Sequence, residues 1–335
     1  MKIAYIIYPE VIVSNRSNGI RSQAISWGES LKKIGVSVDY IDNWSNYDWT
    51  EYDAIHFFGS GDWVVPVARR IKKINSNIIL SPIIDPPYNF SRIKAKIGIW
   101  LAGITGGRLL SRTYNCRFHY EPFEQILVRS EFEGNFISDM YNVRHEKIKK
   151  IPLSYSESCV EYKPIKKEPF CLHISSMTQD RKNVVRLIHA AKKFKFKLIL
   201  AGNTGTKNDF KKIEKAIDGS PYIEVLGFIS EEEKISIYKR AKVFALPSIE
   251  EGVGIVALDA AYYGCEIVIT NIEGPKEYYN GNCIEVNPTD VDSIGKAVMK
   301  YLKNEVSYQP ELSEIVLTEY SPLNISEKLL RLYKK

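Results

Sequence analysis

No stretch of this sequence holds the roughly 18 consecutive apolar residues that a membrane-spanning helix needs. The five cysteines, Cys116, Cys159, Cys171, Cys265 and Cys283, form no C-x-x-C pair and have no zinc-finger spacing. An odd, scattered set of this kind points to free thiols in a reducing cytoplasm. A cluster of histidine, cysteine and carboxylate residues is also missing, so no metal is expected. The opening "MKIAYIIYPEVIV" lacks a basic segment and a small-residue cleavage site, and it reads as a first strand and not as a signal peptide. The net charge of +6 is spread over both halves without any nucleic-acid-binding motif, so nucleic acid is not an expected partner. One absence is local. Between Asp85 and Glu121 there is no acidic residue, whereas Arg92, Lys94, Lys96, Arg108, Arg112 and Arg117 alternate there with Ile97, Ile99, Trp100, Leu101, Ile104, Leu109 and Leu110. Two readings of that segment stand: a core helix with a basic outer face, or a peripheral contact with anionic lipid through residues 92–117 on the inner face of the cell membrane.

What is present is a globular composition, 44% hydrophobic and 26% charged, in a chain of 335 residues that is long enough for two domains. Strand-like and helix-like patterns alternate throughout, which predicts an α/β fold with largely parallel sheets. "KIAYIIY", "VSVDYID", "AIHFF", "IILSPII" and "QILVRS" are the strands of a first series. Ile20, Ala24, Trp27, Leu31 and Ile34 recur at helical spacing, and Gly35 closes that helix. The pattern stops in "IPLSYSESCVEYKPIKKEPF", residues 151–170, read as a linker. A second series follows with "FCLHISS", "FKLILAG", "YIEVLGF", "KVFALPS" and "CEIVIT", and Ser230 with Glu233 makes a capping box. The expected architecture is two Rossmann-like domains, 1–155 and 156–319, facing a cleft at the carboxyl ends of their strands. The helix at about 320–335 is expected to return to the first domain.

Candidate chemistry concentrates in "EEGVGIVALDAAYYG". A glycine pair runs into an apolar helix, whose first N–H groups have no intrahelical partner and favour an anion. Glu251 stands at the rim, and Asp259 lies inside the helix, where an unpaired buried charge is costly. A ligand with a diphosphate for the amides and hydroxyls for the carboxylates satisfies both demands, and a sugar nucleotide is such a ligand. Upstream, "SSMTQDRKNVVRLI" sets Arg181 and Lys182 at the start of a helix, where cations oppose the dipole. This placement suggests a nearby anion. His56 and His173 read as satisfied strand histidines. Asp290 and Asp292, a D-x-D pair before a helix, read as capping residues.

These motifs resemble those of the family 4 (group 1) retaining glycosyltransferases of the GT-B fold. The signature of two acids separated by seven residues corresponds to Glu251 through Asp259. Arg181, Lys182 and Asn183 match the family's "RKN" segment, "VLGFIS" its turn beside the base, and Ser130, Glu131 and Phe132 its "SEF". The resemblance implies that Glu251 contacts the donor sugar and Asp259 the ribose. It further implies that Gly252, Val253, Gly254, Ile255 and Val256 hold sugar and phosphate, that Lys182 neutralises phosphate with Arg181 nearby, and that Phe228 and Ile229 flank the base. Gly19 is what remains of the first-domain glycine loop. The sequence departs from the family pattern in three places. Asp259 replaces the usual glutamate, Ser175 and Ser176 stand where many relatives have an arginine, and Asp85 stands where a histidine is common. The implied activity is transfer of a sugar from a UDP- or GDP-linked donor, without cofactor, to a glycan or lipid-linked acceptor in bacterial surface-polysaccharide synthesis. A sugar-nucleotide epimerase and a non-catalytic sugar-nucleotide-binding protein are the alternatives.

Overall fold

The computed structural model describes residues 1–7, 19–85, 90–106, 111–156, 165–279 and 281–334, with Arg112 in its backbone alone. Arg108, Leu109, Leu110 and Cys159, used in the reading above, lie outside the described residues. The chain divides into two compact units, Met1–Leu153 with Pro322–Lys335, and Ser154–Ser321.

The first unit runs β1 (Lys2–Ile7), α1 (Gly19–Lys33), β2 (Ser37–Tyr40), β3 (Ala54–Phe58), α2 (Val64–Lys72) and β4 (Ile78–Ser81). It continues with α3 (Arg92–Ile104), α4 (Arg112–Cys116), β5 (Gln125–Val128), α5 (Glu131–Tyr141) and β6 (Ile148–Lys150). Its sheet is parallel throughout, in the order β2-β1-β3-β4-β5-β6. The central strand β3 is buried along its whole length, as expected for a parallel strand covered on both faces. Ala24, Trp27 and Leu31 turn the inner face of α1 onto the sheet, and Gly35 (φ 83°) ends that segment in the left-handed conformation.

The second unit runs β7 (Glu168–Ile174), α6 (Val184–Phe194), β8 (Leu198–Ala201), α7 (Lys207–Ile217), β9 (Ile223–Gly227), α8 (Glu231–Arg240) and β10 (Ala241–Leu246). Then come α9 (Ile255–Tyr262), β11 (Glu266–Thr270), α10 (Glu273–Lys276), β12 (Ile284–Val286), α11 (Val291–Leu302) and α12 (Glu311–Glu319). The last helix, α13 (Pro322–Tyr333), packs against α1 and belongs to the first unit. The second sheet is again parallel, ordered β12-β11-β10-β7-β8-β9. Counted within the unit this is 6-5-4-1-2-3, the doubly wound order in which the direction of winding reverses between the first and fourth strands, here β7 and β10. On one face, Leu187, Ile188 and Ala191 of α6 meet Ile294, Val298 and Tyr301 of α11 over the sheet. The capping box of Ser230 and Glu233 is present at the start of α8.

Two features differ from the sequence expectation. Strands β6 and β12 have three residues each, too few for a period to be read. The start of the expected linker is not a solvated connector. Ile151, Leu153 and Ser154 are buried, and the Ile151 amide donates to the Val128 carbonyl at 2.8 Å. Two apolar side chains and a chain direction continued from β6 keep this stretch packed.

Candidate active site

The carboxyl ends of β7 and β10, where a doubly wound sheet leaves a crevice, carry the candidate residues. After β7 the chain makes a short 3-10 turn over Asp180–Lys182 and reverses at Asn183, which is left-handed (φ 59°) and buried. The Asn183 amide nitrogen donates to the carbonyls of Pro247 (2.8 Å) and Pro288 (2.6 Å), so it ties this turn to the loop after β10. Helix α6 begins only at Val184. Arg181 and Lys182 therefore lie between the strand and the helix, as the sequence places them, and Asn183 breaks the helical path between them and α6. Arg181 is exposed and donates to the Gln179 side chain, and its carbonyl accepts from the Ile249 amide at 2.7 Å.

Lys182 points the other way. Its Nζ lies 2.5 Å from Glu251 Oε2, and the two side chains are only 12% and 9% exposed. The hydroxyl of Ser248, fully buried at the end of the β10 loop, donates to the same oxygen at 3.0 Å. Lys182 Nζ makes one hydrogen bond of the three it can donate, and Glu251 Oε1 accepts none from the described residues. The pair thus has unused capacity on both sides. Tyr279, another residue near Glu251's charge, is fully buried with a hydroxyl that has no partner among the described residues. Neither Ser248 nor Tyr279 was signalled by the sequence, because a serine in a loop and a tyrosine in a turn have no distinctive pattern.

Behind the pair, His173 bridges the two strands. Its Nδ1 lies 2.8 Å from the Ala245 carbonyl and must donate, which leaves Nε2 to accept the Ser175 hydroxyl at 2.7 Å. Burial lowers its pKa to about 4, with the Lys182 charge acting in the same direction. Ser175 stands at the position where the resembling family often has arginine, and this neutral imidazole fixes its hydroxyl. Close by, Gly202 (φ 117°) brings two loops into contact. A Cβ there would lie 2.1 Å from the Ser175 carbonyl oxygen.

The glycine pair leads into α9 as expected. Gly254 is its N-cap at φ 76°, and an added Cβ would meet Leu246 at 2.7 Å, so the position needs glycine twice over. Val253 is buried, Gly252 precedes it, and Ile255 and Val256 open the helix. Asp259 is 3% exposed, and its Oδ1 accepts the Ser156 amide at 2.7 Å. The buried carboxylate thus has a partner from the connecting segment. At the end of β9, Gly227 (φ 70°) turns the chain and leaves Phe228 87% exposed beside half-buried Ile229. Asp290 caps α11 through the Asp292 amide, and Asp292 pairs with Lys193.

In the first unit Gly19 is the first residue of α1. Asp85, after β4, accepts from Arg129 Nη2 at 2.8 Å. Arg129 is buried and also bonds Glu133 Oε2 through Nε (2.9 Å) and the Ile84 carbonyl (3.0 Å). Glu133, 2% exposed, accepts the amides of Ile84 (2.7 Å) and Arg129 (2.8 Å) as well. These bonds clamp a turn in which Ile83 has φ 56°, a costly conformation for a β-branched residue.

Residues 159–315 match the family described as glycosyl transferases group 1. The chain is 25% identical over 199 residues to the O-antigen chain mannosyltransferase B of Escherichia coli, a match that covers 54% of this chain and 52% of that protein. An uncharacterized glycosyltransferase of Methanocaldococcus jannaschii is 27% identical over 176 residues, covering 50% and 45%. The chain therefore spans about half the length of these relatives. Among solved structures, a glycosyltransferase from Rickettsia africae superposes with a TM-score of 0.74 at 16% identity, covering 99% of this chain and 97% of that one. Anabaena HepE, solved in complex with UDP and glucose, gives 0.68 at 15% identity, covering 99% and 98%. At such identities the structures establish the fold, which is that of the GT-B glycosyltransferases.

Proposed function

With residues 159–315 belonging to the group 1 glycosyl transferases, we propose that this chain moves a sugar, with retention at the anomeric carbon, from a nucleotide-sugar donor to a glycan or lipid-linked acceptor. The observation that carries this reading is the Lys182–Glu251 pair at the winding reversal of the second sheet, beside the glycine-capped start of α9. An arriving diphosphate competes with Glu251 for Lys182 and takes the amides from Gly252 to Val256, which carry the partial positive charge of the helix N-terminus. Glu251, released from the lysine, turns to the sugar hydroxyls and orients the anomeric carbon. Asp259 reaches the ribose, and the backbone at Phe228–Ile229 flanks the base; Arg181 completes the donor contacts. Stabilisation of the leaving diphosphate by Lys182 and backbone amides, with orientation of the sugar, supplies the rate enhancement. No metal or organic cofactor has a part in this scheme. The O-antigen relative supports a growing surface polysaccharide as the product, and the HepE complex supports a UDP-linked donor beside the GDP-linked alternative. The chain works in the cytoplasm, at the inner face of the membrane that carries the acceptor, through contact along 92–117.

A panel of UDP- and GDP-sugars, incubated with and without EDTA, tests this. The expected result is release of free nucleoside diphosphate from one donor, unaffected by EDTA. An isomerised donor would assign an epimerase, and binding without turnover a non-catalytic module. Loss of turnover in EDTA, restored by Mg²⁺ or Mn²⁺, would remove the metal-free scheme.

A further inference from the structure

Helix α3 is amphipathic in the wrong sense for a helix of a water-exposed surface. Ile99 and Ala102 form its buried face, yet Ile93, Ile97, Trp100 and Ile104 are 74%, 52%, 63% and 63% exposed. At about 100° per residue these four fall within roughly 60° of arc, so they make one continuous outward stripe. Lys96 borders the stripe on one side and Lys94, beside half-buried Leu101, on the other, and both lysines are exposed. Arg92, at the first turn, pairs with Asp139 of α5. No acidic residue occurs between Asp85 and Glu121, so nothing on the helix itself balances its charge.

We infer that this stripe is the element that enters an anionic lipid surface, with α3 lying in the plane of the interface. The inference rests on the reading that the chain meets its acceptor at a membrane, and it names the residues that make the contact. Three observations select the occupant. The stripe is one helix wide and runs from Ile93 to Ile104, nearly the whole length of α3, a linear apolar contact that suits a fluid interface. Its apolar centre and lysine borders fit the acyl boundary and the phosphates of a bilayer, with Trp100 at the depth where indoles settle. A second copy on the same stripe would bring Lys94 and Lys96 against their own counterparts, with no carboxylate on the helix to offset them. The 13-residue helix is about 20 Å long, too short to span the bilayer and long enough to lie along it. The core-helix reading of this segment fails because most of its large apolar side chains point outward.

Co-sedimentation of the full chain tests the inference, using phosphatidylcholine vesicles with and without a third phosphatidylglycerol. Binding is expected only with the anionic lipid, and it should fall as salt is raised. Lys94→Gln with Lys96→Gln should weaken it about fivefold per lysine, and Ile97→Glu with Trp100→Glu should reduce it at least tenfold. Both variants should release nucleoside diphosphate from donor in vesicle-free buffer at the wild-type rate, which shows that they are folded. On anionic vesicles the tryptophan emission should shift to the blue, and Trp100→Phe should abolish that shift while binding persists. Vesicle binding unaffected by the Ile97/Trp100 change overturns the assignment of the stripe. A concentration-dependent dimer abolished by that change, without vesicle binding, overturns it in favour of a second copy. No wild-type binding at low salt, with donor turnover intact, overturns membrane docking and leaves the transfer reaction standing.

Discussion

The carboxyl edges of the two sheets each hold a nearly buried ion pair, Arg129–Glu133 in the first unit and Lys182–Glu251 in the second, and the two differ in how much of their bonding capacity is used. Arg129 is bonded to Glu133, Ile84 and Asp85, and Glu133 accepts two backbone amides in addition. Among the described residues Lys182 has Glu251 alone, and Glu251 receives Lys182 and Ser248 on one oxygen only. Burial of charge is therefore not in itself a mark of a ligand site. A saturated pair is a clamp, and an unsaturated one has contacts left to give to a ligand.

The largest expected effect comes from breaking the clamp. Arg129→Met should cost about 3–5 kcal/mol of stability by leaving Glu133 buried and uncompensated, read as a shift in denaturant midpoint. Adding Glu133→Gln should recover part of this, since the amide removes the charge and keeps one acceptor. A loss within experimental error of wild type would mean that Arg129 is no clamp.

At the other edge the effect should appear in the reaction. Glu251→Gln should slow turnover about a hundredfold, the scale of misplacing a reactant by ~1 Å, while nucleotide affinity is kept or raised, because the diphosphate no longer competes with a carboxylate for Lys182. Equal losses in turnover and affinity would place Glu251 on the nucleotide and not on the sugar.

Lys182→Met should weaken the nucleoside diphosphate by about 1.5–3 kcal/mol, the scale of a hydrogen bond to a charged group. Titration calorimetry measures this. The comparison predicts a smaller stability loss here than in Arg129→Met; if the two melt alike, the contrast between saturated and unsaturated pairs fails.

The smallest effect is shared by both units. His56 and His173 are fully buried, and burial lowers their pKa values to about 3 and about 4. Both are neutral when folded, whereas the unfolded chain takes up protons below its ordinary value near 6.5. Stability is thus complete above about pH 6.5 and declines as pH falls toward these folded values. Each histidine should contribute about 1.4 kcal/mol of this loss by pH 5.5. His56→Gln should flatten the dependence of the first unit, followed by urea unfolding at several pH values; an unchanged slope would show that His56 protonates without penalty.

The alternation of strands and helices, the Gly35 terminus, the capping box at Ser230 and Glu233, and the glycine entry to α9 were all legible in the sequence, because each depends on residues within a few positions of one another. The site's central contact was not, since Lys182 and Glu251 are 69 positions apart and only the winding of the sheet brings them together. The resemblance named both residues and gave no sign that they face each other without ligand. The bonds that Arg129 and Glu133 make to Ile84 and Asp85 escaped for the same reason, as they join the turn after β4 to the start of α5, 44 to 49 positions on. The stripe on α3 illustrates a different limit. Spacing assigns Ile93, Ile97, Trp100 and Ile104 to one face, but only the packing of Ile99 and Ala102 decides that this face is outside.

The attachment of α13 has a consequence for the order in which the protein is completed. Tyr333 is buried in the first unit, where its hydroxyl meets His56 at 2.7 Å and Tyr5 at 3.1 Å, and the Asn77 side chain donates to its carbonyl. The His56 contact joins positions 277 apart, so it can form only after all of Ser154–Ser321 has left the ribosome. The second unit is contiguous in the chain and can close while synthesis continues. The unit made first is therefore the one finished last, and until α13 emerges the nascent chain carries strands β1 and β3 with Tyr5 and His56 lacking their Tyr333 partner.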